Sequence, residues 1–155
     1  MQSRIVYQSQ ARREADSAEA VVIHCCDHRF QQPFKEFLSE GLQLRSYALV
    51  AALGGGHFVP MEQALPKFAS VGMQTLSFIV KRARPRRIIL IGHDDCLFFK
   101  ERVQFFHPQG DLNQKQVANL QKARNMLREQ FPGLAVELYF ADAQPSGAVQ
   151  FVAIG

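Results

Sequence analysis

The chain has little of several things, and each shortage removes a class of protein. Its 155 residues contain no apolar run near the roughly 18–20 residues that a membrane helix needs, so no membrane partner is expected. The opening stretch "MQSRIVYQSQARREADSAEA" lacks the continuous apolar segment of a secretory signal, which makes the cytoplasm the expected compartment. Three cysteines, two of them adjacent at 25 and 26, are too few for a disulfide framework and read better as ligands or buried thiols. No G-x-G-x-x-G follows the first apolar strand, so a dinucleotide site is not indicated. Charged residues amount to only 21%, and the net charge of +4 is concentrated in "KRARPRR" at 81–87. That run has no interleaved aromatics. It reads as a helix C-terminus followed by a Pro stop rather than as a nucleic-acid contact.

What remains is a soluble α/β pattern. With 47% apolar residues the chain can bury one substantial core. Strands are predicted at 21–25, 42–50 and 86–96, and two more in "LAVELYFADA" and "GAVQFVAIG", joined through a turn at "QPSG". Helices are predicted at 30–41, 61–83 (with Pro66 in or before the first turn) and 111–133, where Asp111 is the candidate N-cap. Alternating strands and helices imply a single domain built on a mainly parallel sheet of order 2-1-3-4, with an antiparallel last strand and helices on both faces. Residues 1–20 form a polar arm or helix ahead of the domain at 21–155.

Two strands change chemistry at their carboxyl ends. The first runs "VVI" into "HCCDHR", and the third runs "RIILIG" into "HDDC". In a 2-1-3 order those ends lie side by side at the switch point, where open α/β sheets hold ligands. Alternation along the first strand places Cys25, Asp27 and Arg29 on one side and His24, Cys26 and His28 on the other. His93 and Cys96, three apart on a turn, can converge with Cys25 on one metal. Two thiolates and an imidazole make a tetrahedral zinc set with a fourth position left for water. Cys26 is the alternative ligand, but on parity it is expected to be a buried, inert thiol. Asp94 and Asp95 are expected to cap the next turn, with a bond to His93 as the alternative. His28 is a candidate proton shuttle. "LGGGHF" is a strand-to-helix loop or an anion nest, and Phe30, Phe34, Phe98 and Phe99 are core or interface residues.

The pair "CCDHR" and "GHDDC" resembles the β-class carbonic anhydrases, whose signature is Cys-x-Asp-x-Arg after the first strand and His-x-x-Cys after the third. The resemblance covers residues 20 to 155. It implies zinc on Cys25, His93 and Cys96, an Asp27–Arg29 dyad, reversible hydration of CO2 to bicarbonate by zinc-bound hydroxide, and a homodimer or higher homo-oligomer. Arg29 would hold Asp27 off the metal; a freed Asp27 would become the fourth ligand and close the site. Two positions depart from the family. "ALVAALGGG" at 48–56 stands where Arg-Asn-Ala-Gly-Asn is usual, and Leu97 stands where Gly follows the second cysteine. The first departure supports one alternative, a non-catalytic zinc protein; the same hydroxide would serve another, a hydrolase of a related heterocumulene such as carbonyl sulfide.

Overall fold

The computed structural model describes residues 3–103 and 110–155. Five strands, β1 (Ala20–Cys25), β2 (Tyr47–Ala52), β3 (Arg87–His93), β4 (Ala135–Ala143) and β5 (Val149–Ala153), form one sheet of order β2-β1-β3-β4-β5. The first four are mutually parallel, and β5 returns antiparallel to β4. The return is made by the anticipated turn, with Gly147 at φ 88° and Gln144 N–H bonded to Ala148 O at 2.8 Å.

The period-2 alternation of the central strands divides the core in two. Val21, Ile23, Ile88 and Leu90 face one side. They pack there with Phe58, with Leu76 of α2 (Pro66–Ala83), and with Leu120 and Leu127 of α3 (Leu112–Gln130). Ala20, Val22, Ile89 and Ile91 face the other. They meet Phe30, Phe34 of α1 (Gln31–Glu36), and Leu38 of the π turn Phe37–Gly41 that continues α1. All eight strand residues are at most 1% exposed, as expected of a parallel sheet covered on both faces. Among the described residues no helix is long and apolar enough to cross a membrane.

The second strand begins at Tyr47, not at residue 42. "LQLRS" alternates like a strand, but Leu42 N–H and Leu44 N–H still bond to Phe37 O and Leu38 O, and Gln43 takes φ 52°. The segment is therefore a helix C-cap. The helix predicted from 61 begins at Pro66, whose fixed φ suits the first turn. Met61 instead closes a buried 3₁₀ turn, Gly55–Met61. α2 ends as predicted: Arg84 takes a left-handed cap at φ 48° before Pro85. Asp111 caps α3, its carboxylate accepting from Gln114 N–H at 2.9 Å. The arm has no regular structure from Ser3 to Ser17, and all of those residues are exposed.

Candidate metal centre

β1 and β3 part company at their carboxyl ends. Their pairing stops at His24↔Ile91, and Cys25 and Cys96 pack there with Met61, Ala69 and Phe99 in a third, small buried cluster. Cys25, 5% exposed, is the last residue of β1. His93, 1% exposed, is the last of β3. Cys96 arrives through the tight turn at Asp94–Asp95, where Asp95 adopts φ 53°. The ligand atoms of Cys25, His93 and Cys96 all lie within 4.8 Å of one another, close enough to hold a metal ion.

The electronic state of this group suits a cation. His93 Nδ1 meets the Asp94 carbonyl at 2.8 Å. That bond makes Nδ1 the protonated nitrogen and leaves the Nε2 lone pair free. His93 Nε2 is buried with no hydrogen-bond partner, an arrangement that costs free energy unless something fills it. The two thiols act on each other. A hydrogen bond from Cys96, followed by the influence of His93, holds Cys25 well below the usual thiol range. The same bond to Cys25, together with burial, pushes Cys96 up. Of the two thiols, Cys25 gives up its proton the more readily, and a bound cation would favour the thiolate of both.

Asp27 and Arg29 stand beside this group and are engaged with each other. Arg29 Nη2 lies 2.7 Å from Asp27 Oδ2, Nε reaches both carboxylate oxygens at 3.1 and 3.2 Å, and the Arg29 backbone N–H donates to Oδ1 at 3.0 Å. These bonds, first of all that of the guanidinium, hold the Asp27 carboxyl at about 2, so it is ionised at neutral pH. Arg29 also spans to the other strand end, donating to Asp95 Oδ2 at 2.9 Å and to the Asp95 carbonyl at 3.0 Å. Lys100 pairs with the second oxygen of Asp95.

Cys26 is corrected by the structure: it is exposed, not buried. β1 ends at Cys25 and the chain turns into the 3₁₀ turn His28–Phe30, so strand parity no longer governs the next side chain. His24 is a core residue, its ring 4.4 Å from that of Phe34, while His28 is exposed. Asp94 does cap its turn, accepting from Asp95 N–H at 2.8 Å and from Asn113 Nδ2 at 2.9 Å. Asp95 serves Arg29 instead. Phe30, Phe34 and Phe99 are buried, and the Phe30 ring sits 4.3 Å from His93.

Several residues of this neighbourhood were not singled out by the sequence. Gln31 Nε2 donates to the carbonyls of Cys25 and Asp27 at 3.0 and 2.6 Å. Gln116 bonds to the backbone of His93, and its signal was a polar side chain in register with the apolar stripe Leu120, Ala123 and Leu127. His57 is fully buried, with Nδ1 2.7 Å from Asn119 Nδ2. Burial lowers its pKa to about 3. The glycine-rich segment packs directly on β1: a Cβ at Gly55, which has φ +62°, would lie 3.0 Å from Cys25 N.

No protein-family model and no curated protein matches the sequence. Solved structures do match in shape. A carbonic anhydrase from Glaciozyma antarctica aligns with TM-score 0.57 and 15% identity, over 90% of this chain and 83% of its own. A tetrameric β-carbonic anhydrase from Sordaria macrospora gives 0.56 and 14%, over 91% and 84%. β-Carbonic anhydrase isoform I of Trichomonas vaginalis gives 0.55 and 11%, over 96% and 89%. The chain therefore has the β-carbonic anhydrase fold.

Proposed function

We propose that the chain is a divergent zinc-dependent β-carbonic anhydrase that interconverts CO2 and bicarbonate. The observation that carries this reading is the buried Cys25–His93–Cys96 group beside an Asp27–Arg29 pair at the switch point of that fold. Zinc is the metal this donor set suits, and its chemistry there is to make water a nucleophile near pH 7. Cys25, Cys96 and Nε2 of His93 would hold it. Asp27, ionised and acceptor-only, orients a protic nucleophile through a carboxylate lone pair. Arg29 keeps that carboxylate turned away from the thiolates. The Phe99 and Met61 side chains make the adjoining wall apolar, which suits a small uncharged substrate. Free thiols at Cys25, Cys26 and Cys96 fit a reducing compartment such as the cytoplasm.

The test is stopped-flow CO2 hydration on protein whose zinc content has been measured. About one zinc per chain with hydration at pH 8 is expected. Zinc without hydration would favour the second reading, a non-catalytic zinc protein. The observation on that side is the segment Gly54–Met61, which packs against β1 and carries no polar side chain other than His57.

The reading extends to a homo-oligomer in which the arm, residues 1–20, clasps a second copy. Ile5, Val6 and Tyr7 are each at least 80% exposed, an apolar triplet that the described residues leave uncovered. Light scattering should give at least a dimer for the full chain, and a smaller assembly once residues 1–17 are removed. A monomeric full chain at micromolar concentration would end this idea.

A further inference from the structure

The backbone of His93 poses an accounting problem, because buried N–H and C=O groups need partners. Asp94 N–H bonds to Ala141 O of β4 at 2.9 Å. Successive residues of a strand send their backbone groups to opposite edges, so those of His93 face β1. β1 is no longer there, since its pairing with β3 has stopped two residues earlier, at Ile91. A helix side chain fills the gap. Gln116 Oε1 accepts the His93 N–H at 3.3 Å, and Gln116 Nε2 donates to the His93 C=O at 2.9 Å.

Few side chains can do this. A primary amide carries a donor and an acceptor in one plane, as a strand's backbone does. Gln116 is 1% exposed, and Gly92 makes room for it. A Cβ at Gly92 would meet Leu120 Cδ1 at 2.6 Å and Gln116 Oε1 at 3.3 Å. One turn earlier on α3, Asn113 Nδ2 holds the Asp94 carboxylate at 2.9 Å. Asp94 is also the residue whose carbonyl takes His93 Nδ1.

We infer that Gln116, seconded by Asn113, is a positioning residue for the metal: it replaces the missing strand, and so fixes His93 with Nε2 facing the thiolates of Cys25 and Cys96. This rests on the zinc reading above. Supporting partners behind a metal ligand commonly carry 10–100-fold of its affinity, and here the support acts on backbone rather than on the ring.

The test uses the full chain, Zn2+ and Co2+, chelator competition for affinity, and the visible spectrum of the Co2+ form for geometry. Gln116→Met removes both bonds at nearly constant volume. It should weaken both metals by about 10–100-fold and shift the Co2+ bands. Leu120→Ala, one turn on and without a bond to His93, should destabilise the fold but leave affinity and bands in place. Asn113→Ala should weaken binding to a smaller degree, and it carries the test should Gln116→Met fail to fold. Unchanged affinity and spectrum in the Gln116 variant, or in Asn113→Ala if that is the one that folds, overturns the inference. So does an equal loss in Leu120→Ala, which would mark a merely structural role. If the unaltered chain binds neither metal, the zinc reading falls first and this inference falls with it.

Discussion

Each end of the sheet carries an arginine held between two carboxylates from different segments. At the amino end Arg87 reaches Glu19 at 2.9 Å and Glu137 at 3.3 Å. At the carboxyl end Arg29 reaches Asp27 at 2.7 Å and Asp95 at 2.9 Å. The ion pairs are alike; their neighbours are not. Glu137 also accepts from Tyr139 Oη at 2.8 Å, and the amino-end cluster closes on itself. Beside Arg29 lie two buried thiols and the unpartnered Nε2 of His93. Among the described residues, the buried side-chain nitrogens without a partner are His57 Nε2, His93 Nε2 and Arg124 Nε, and both imidazoles belong to the carboxyl end. A charged triad therefore does not mark a site. Buried thiols and an unpartnered imidazole nitrogen beside one do.

The comparison breaks most visibly if the thiols are not what separates the two ends. On the zinc reading proposed above, Cys25→Ser and Cys96→Ser should each purify without zinc, as measured by metal analysis. Cys26→Ser, altering an exposed thiol, should retain it. Zinc kept in Cys25→Ser and lost in Cys26→Ser would move the ligand by one residue and undo the geometry of β1.

A smaller effect separates the arginines themselves. Arg29→Ala is predicted to lower CO2 hydration by roughly 100-fold or more while zinc content stays constant, because Asp27 loses the partner that orients it. Arg87→Ala should leave hydration and zinc unchanged and cost about 0.5–1 kcal/mol of stability in urea unfolding, since its partners are partly solvated. If Arg29→Ala kept full hydration at pH 8, Asp27 would need no restraint, and the two arginines would be equivalent after all.

How much of this was legible beforehand follows from the range of the forces involved. β1 and β3 were readable because strands covered on both faces must be continuously apolar, and "VVI" and "IILI" are. The chemistry at their ends was readable because Cys, His, Asp and Arg have no reason to follow such strands in a core. The boundary of β2 was not: "LQLRS" has the alternation of a strand, and only the bonds from Leu42 and Leu44 back into the preceding turn decide against it. The exposure of Cys26 depended on where β1 stops, which pattern leaves uncertain by a residue or two. Gln116 and Asp95 act across 23 and 66 positions of sequence. Such partners are set by the docking of α3 and by the approach of the strand ends, and a single sequence carries no local trace of either. The most that could be seen was a glutamine where the stripe of α3 called for an apolar residue.

Acid should act on the carboxyl end in two steps, told apart by the pH at which each begins. His57 is buried and its pKa is lowered to about 3 by burial, against about 6.5 in an unfolded chain. The unfolded state therefore binds the extra proton first, and stability falls as pH drops from about 6.5 toward 3. One proton sets the limiting slope at about 1.4 kcal/mol per pH unit. Asp27 acts lower: its folded value of about 2 lies below an ordinary 3.9, so its contribution is complete above about pH 4 and is lost between there and 2. Protonation of metal ligands would also destabilise the zinc form in acid, so urea midpoints should be compared with and without chelator. In the chelated protein His57→Gln is predicted to make the decline between pH 6.5 and 3 shallower, with buried His24, whose pKa burial also lowers, accounting for part of what is left, and to leave the decline below pH 4 that Asp27→Asn removes. A decline between pH 6.5 and 4 as steep in His57→Gln as in the unaltered chain would mean that this imidazole is not the group that acid charges first, and would leave His24, the other buried imidazole of that end, whose pKa burial also lowers, as the base that sets the acid limit of the carboxyl end.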